Sequence, residues 1–582
     1  LRPDLVAARV NLGLAYHAVG DYQLAVADLR QADEENPHLL ATNLFLGLSY
    51  MKLGFPEKAI PALNQALVID PSNREARRAL GTAELSDYQY GKAAAQFRKL
   101  AAAEPDQATA LFGLGHDYLR MARQLSGKVS LDHPHSAWAF RLAGDVESER
   151  NLWADAAAKY AKALAIAPND AAIQDSLGRA LAECGKPRES ARAFKAALAA
   201  NPGDLKALIG LAALELQAGN TQDALSNIES VWRGTPELLV WSLPQFQPKL
   251  IPADSLRATD EVARTPPSPA RSFLLAALYQ SAGDESKAAQ EEQALESAVA
   301  LQAKQEPASG AEGASACQNH EERSCANYLT AQPRLSVAQL LQLGKIFSDL
   351  HQDQSAATAF SILLARAPND PGAMYRLSEA YLRLSEGCFA KLAASAPNSW
   401  QALELKGDAL RARQSNLEAI AAYRAAERLN PNSANIHEAL AELLLKKNQM
   451  GPGKEELEAA LRLDPSSARS LYLLGNLYVY EQQPARGIPY LEAALRYDPT
   501  LVEARVSLGR AYLRTGKAAL AAAQIEQSLA HDRYGDLHYL LYQAYREEGK
   551  AQLAAQALAQ SQAMRRKSEL EDQTKLRGGG AN

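Results

Sequence analysis

The stretch Val6–Pro37, VAARVNLGLAYHAVGDYQLAVADLRQADEENP, decides the fold. Leu12, Gly13 and Tyr16 share one face of a helix, and Ala25, Leu29 and Ala32 form a stripe on a second. Between the stripes Gly20-Asp21 reads as a turn whose Asp caps the second helix, and Asn36-Pro37 stops that helix. The next 34 residues repeat the pattern with Leu46, Gly47, Tyr50, Ala59, Leu63, Ala66 and Pro71. A pair of helices this short cannot bury both apolar faces by itself; stacking on neighbouring pairs completes the core.

Outward from this unit the prolines keep the beat. Pro3, Pro37, Pro71 and Pro105 are followed by Pro134, Pro168, Pro202 and Pro236, at intervals of 34 with one of 29. Pro368, Pro397, Pro431, Pro465 and Pro499 follow with the same 29, 34, 34, 34. The two short periods lie 263 residues apart, and Tyr118-Leu119-Arg120 maps onto Tyr381-Leu382-Arg383 by the same shift. We read a duplicated multi-repeat module in which five residues are missing between two helices, giving either one unusual turn used twice or one bent helix in each place.

The pattern closely resembles the tetratricopeptide repeat, W-x2-L-G-x2-Y, A-x3-F, P, and recurs about fifteen times, with starts that include Val6, Ala108, Ala137, Pro371 and Gly535. The first-helix Trp is mostly absent, and Ala212, Ser378 and Ala441 replace the Gly. The resemblance, closest to long bacterial members, implies an all-α right-handed superhelical solenoid that binds protein or peptide ligands along its concave groove. The expected organisation is an N-terminal array over 1–238, a Pro-rich irregular connector over 239–268 and a single hairpin over 269–302. A degenerate Cys-containing segment over 303–336, a C-terminal array over 337–568 and a charged, Gly-rich tail over 569–582 complete it.

Composition narrows the function classes. Lys+Arg 62 against Asp+Glu 67 leaves −5, which argues against nucleic acid as partner. Apolar runs such as Leu208–Leu216 meet charge too soon to span a membrane. No phosphate-loop, dinucleotide, nucleophile-elbow or H-E-x-x-H string occurs, so we expect no enzyme and no cofactor. His116, His133 and His135 read as turn and surface residues, since no Cys or carboxylate keeps metal spacing with them. Cys317 and Cys325 would stand about 12 Å apart on a continuous helix and meet only if the chain turns near His320. A disulfide there would mean the periplasm, its absence the cytoplasm.

In the family the groove is lined from first-helix offsets two, five, nine and twelve. The candidates in the first half are Phe112, Trp138, Arg141, Asp145 and Arg179. In the second half Glu404, Asp408, Glu438 and Glu442 form an acidic block, followed by Arg469, Tyr472, Asn476, Arg510 and Tyr539. Asn476 is preceded by Tyr472 rather than Lys, against a chaperone-tail carboxylate clamp; only Asn11 fits the Asn ladder of glycosyltransferase arms. The expectation is a non-catalytic interaction scaffold holding an extended peptide or partner helix. Its alternative is the substrate-receiving arm of an enzyme or export machine whose remaining part precedes Leu1, where the exposed first helix lacks a polar cap.

Overall fold

In the computed structural model residues 6–302, 317 and 322–578 are described. Every regular element among them is a helix, arranged as a helical-repeat solenoid, and none is long and apolar enough to cross a membrane. The chain divides into two compact units, Leu1–Ala390 and Lys391–Asn582.

The repeat is built as its residues dictate. Helices Val6–Val19 and Tyr22–Glu35 pack with Ala25, Leu29 and Ala32 fully buried. Gly13 lets the helices meet, since a Cβ there would stand 2.6 Å from the Leu29 side chain. The same small-against-large contact, sixteen residues apart, recurs at Gly81–Phe97, Gly178–Phe194 and Gly344–Phe360, and in the second unit at Gly407–Tyr423 and Gly475–Leu491. The turn needs one residue with positive φ. Gly20 supplies it at +88°, and Asn151, Gln414 and Asn448 supply it without glycine.

Capping departs from expectation. Asp21 makes no side-chain cap; Asp21 N–H instead donates to Tyr16 O at 2.9 Å, because the left-handed turn already closes the helix end with backbone bonds. Side-chain caps fall on the first helices, after the Pro turn, at Asn73, Ser136, Asp170 and Ser399 among others.

Each short period holds a single helix, the second of the two readings, and not an unusual turn. Gln107–Asp132 is one helix of 26 residues and Pro371–Ser395 one of 25, so two of the fifteen starts, Ala108 and Pro371, open a long helix in place of a hairpin. With the turn deleted, the run from Tyr118 to Arg123 has nothing to stop a helix. Sixteen residues after Gly115, Leu131 is left 81% exposed, and Phe389 from the second long helix fills the place against Gly115. Tyr118 stacks on Tyr381 at 5.7 Å; Tyr118 OH donates to Gln354 Oε1, and Tyr381 OH to Tyr90 O. Tyr90 plus 263 is position 353, next to Gln354, so the two tyrosines reach neighbouring places in the duplicated pattern. Helix Ala137–Glu149 then packs on the start of the second long helix, Trp138 lying 5.2 Å from Tyr375. Each half therefore lends the other its second helix. Met121, Leu125 and Val129 are fully buried in this shared core.

The proline-rich 239–268 stretch holds short helices, Pro236–Ser242 and Pro252–Ala263. Leu239, Leu243 and Phe246 are buried against the neighbouring repeats, with Phe246 4.9 Å from Phe273. Cys317 and Cys325 are joined by a disulfide with Cα atoms 4.6 Å apart. Cys325 is buried beside Leu343, Ile346 and Leu350 of helix Val337–Asp349. The expected turn at His320 lies outside the described residues, as do most of 303–321 and the last four residues.

Candidate recognition surfaces

First-helix faces carry the candidates, and the two units treat them differently. In Leu1–Ala390 the face of Ala137–Glu149 is covered by the chain's own second long helix. The Arg376 guanidinium lies 4.2 Å over Trp138 and that of Arg141 4.7 Å over Tyr375. Asp145 accepts from Tyr375 OH at 2.6 Å and Tyr160 OH at 2.8 Å. Arg179 pairs with Asp175 at 3.3 Å. Phe112 stands 4.3 Å from the His116 ring, which faces Phe389, away from the other four.

Of these five, Arg141 and Arg179 line a cleft of about 700 Å³. Its other wall comes from far along the chain: Lys345, Asp349, Arg376, Glu379 and Arg383. The same offsets counted from Val337 and Pro371 reach Lys345 and Glu379, while Asp349, Arg376 and Arg383 lie off them. What the sequence did not signal is that these faces meet the face of Ala137–Glu149. Lys206 bridges Asp349 at 3.1 Å, and that carboxylate raises the Lys206 pKa. Burial pushes Glu379 up, but Arg141, Arg383 and Lys206 outweigh it and hold it below its ordinary value. Burial, then the neighbouring Asp175, pushes Asp204 up to about 7.

In Lys391–Asn582 the acidic block is stitched into the wall. Asp408 accepts from Tyr423 OH at 2.6 Å, and Glu438 from Ser467 Oγ and Ser470 Oγ at 2.8 and 2.6 Å. Glu442 pairs with Arg411, Lys446 and Arg469 at 3.3–3.4 Å. Glu404 is buried, its Oε2 lacks a donor, and burial followed by Asp408 pushes its pKa up to about 7. Asn476 accepts from Ser507, and Arg469 also lies over Tyr472. Beyond this block Arg510 is exposed with no hydrogen bond or ion pair among the described residues, and Tyr539 is exposed beneath Arg565.

A cluster that spacing did not reveal joins Glu427, His437 and Glu456, whose ligand atoms lie within 4.8 Å of one another. Arg424 pairs with both carboxylates, while His437 Nδ1 meets Glu456 at 2.6 Å and Nε2 meets Pro431 O at 2.9 Å. With an arginine already supplying the positive charge and both ring nitrogens bonded, this is a clasp between three helices.

Short repeats of paired helices and a recurring small-on-large contact define a helical-repeat fold of the kind that serves protein–protein interaction. Models described as tetratricopeptide repeat match residues 46–108, 176–232 and 472–536 and residues 6–39, and one described as TPR repeat matches 407–448. The chain belongs to the tetratricopeptide repeat family. No curated protein matches it. Among solved structures it is similar to YrrB, described as a TPR protein with an unusual peptide-binding site, at 21% identity over 32% of this chain and 97% of that one, TM-score 0.28. It is similar to the APC/C hetero-tetramer Cut9-Hcn1 at 14% identity over 97% and 94% of the chains, TM-score 0.28. It is also similar to pilF of Pseudomonas aeruginosa at 13% identity over 40% and 97%, TM-score 0.29. These are likenesses of the repeat, and no ligand or partner follows from them.

Proposed function

We propose that the chain is a non-catalytic scaffold that docks an acidic segment of a partner protein, as extended peptide or helix, on the first-helix faces of the Lys391–Asn582 unit. The carrying observation is the contrast along that face. Asp408, Glu438 and Glu442 are tied to neighbours and Glu404 is buried, whereas Arg510 has no hydrogen bond or ion pair among the described residues and Tyr480 and Tyr539 are exposed. Arginine beside exposed aromatic rings is the composition that anchors protein partners. Glu438 and Glu442 are ties of the wall, so the informative substitutions are Arg510→Glu and Tyr539→Ala. Both should keep the helical circular-dichroism signal and lose acidic peptides selected by display on the parent protein. Retention of the same peptides would remove this face from the site.

The Cys317–Cys325 bond supports an oxidising compartment such as the periplasm. Thiol trapping in the native cell should leave both cysteines unlabelled, and labelling of both without reductant would place the protein elsewhere.

A further inference from the structure

The cleft of the Leu1–Ala390 unit is independent of that docking face. It is the size of a small-molecule site, and cations and carboxylates both line it. Arg141, Lys345 and Arg376 form no ion pair within 4 Å among the described residues, whereas Lys206 and Arg179 are paired with Asp349 and Asp175. Arg141 is 9% exposed, yet its Nε has no acceptor. The pKa of Lys345 is lowered by burial and then by Arg376, and that of Arg376 by burial and then by Arg141, whereas Arg141 is held up against its burial by Tyr375, Glu379, Asp145 and Asp170. The nearby acids serve several groups at once: Asp170 accepts from Ile173 N–H as a helix cap, and Glu379 acts on Arg141, Arg383 and Lys206. Among the acids Asp204 resists ionisation because it is buried and then because Asp175 lies near it. Asp175 is 4% exposed; one oxygen takes Arg179 and the other, Oδ1, is buried with no donor.

A buried cation without an acceptor and a buried carboxylate oxygen without a donor, in one cleft, are both costly to leave unmade. A dianion would satisfy the first and meet the acids; a dication would satisfy the second and meet the arginines. We propose that this cleft binds a small zwitterion, an amino acid or a short peptide with both ends free. Its carboxylate is held by Arg141, Lys345 and Arg376, and its ammonium group by Asp175 beside Asp204.

The test is calorimetric titration of the full chain with alanine, trialanine, N-acetyl-trialanine and trialanine amide. Saturable binding of alanine identifies a free amino acid as the ligand, and of trialanine alone a peptide. Blocking either end should weaken binding roughly tenfold or more. Lys345→Gln, a side chain reached by solvent and safe for folding, should weaken the free and N-acetylated peptides alike. Asp175→Asn should abolish the advantage of the free amine. The inference is overturned if neither alanine nor trialanine binds, if blocked and free peptides bind equally, or if Lys345→Gln changes nothing.

Discussion

At the scale of single residues, the solenoid rests on contacts that leave no room for a methyl group. In Gly144→Ala the new Cβ would lie 2.5 Å from the Tyr160 ring, whose hydroxyl is held by Asp145 and Ser148, so the ring cannot retreat. Overpacking of this kind should lower stability by about 1–3 kcal/mol. Gly127 is also helical but faces open space, and Gly127→Ala should raise stability by about 1 kcal/mol through helix propensity. Denaturant midpoints should move in opposite directions for the two variants. Glu404 carries a pH dependence: its folded pKa is raised from 4.5 to about 7, so its neutral form stabilises fully below 4.5 and that contribution is lost as pH rises towards 7. Glu404→Gln should therefore stabilise by about 1–3 kcal/mol at pH 8 and by almost nothing at pH 4, read as paired thermal midpoints. The apolar stripes were plain in the sequence because a buried face must be apolar. Asp21 was misread as a cap because composition shows which residue is able to cap, while backbone geometry decides whether a cap is needed.

At the scale of elements, the hairpins were legible down to their turns, and the partnership of the long helices was not. Periodicity marks which face of Gln107–Asp132 is buried; it carries no address for the residue that covers it. Phe389 against Gly115 and Tyr381 against Tyr118 lie more than 260 residues away in sequence, although the repeated 29-residue period pointed to both places. The crossing predicts energetic coupling at a distance no simple array would show. A double-mutant cycle of Tyr118→Leu and Tyr381→Leu should give a coupling of about 0.5–1.5 kcal/mol, measured by unfolding. Strict additivity would mean the rings do not stack. The same crossing explains the candidate site: Arg141 and Asp145 stand at offsets five and nine from Ala137, and Tyr375 and Glu379 at the same offsets from Pro371, but the pattern does not say that these two faces meet.

At the scale of the molecule, the Leu1–Ala390 unit is held together by its two ends and not only by the chain between them. Fragments 1–310 and 311–582, co-expressed, should purify as one complex, because Asp145–Tyr375, Tyr118–Gln354 and Tyr90–Tyr381 all cross the cut. Separate elution on size exclusion would contradict the reciprocal packing. The arrangement also sets a timetable for birth on the ribosome. Met121, Leu125 and Val129 leave the exit tunnel long before Pro371–Ser395 exists to cover them. With roughly 240 residues still to be made at about 5–20 per second, that oily surface stays bare for on the order of ten to fifty seconds, an interval in which chaperones would guard the nascent chain.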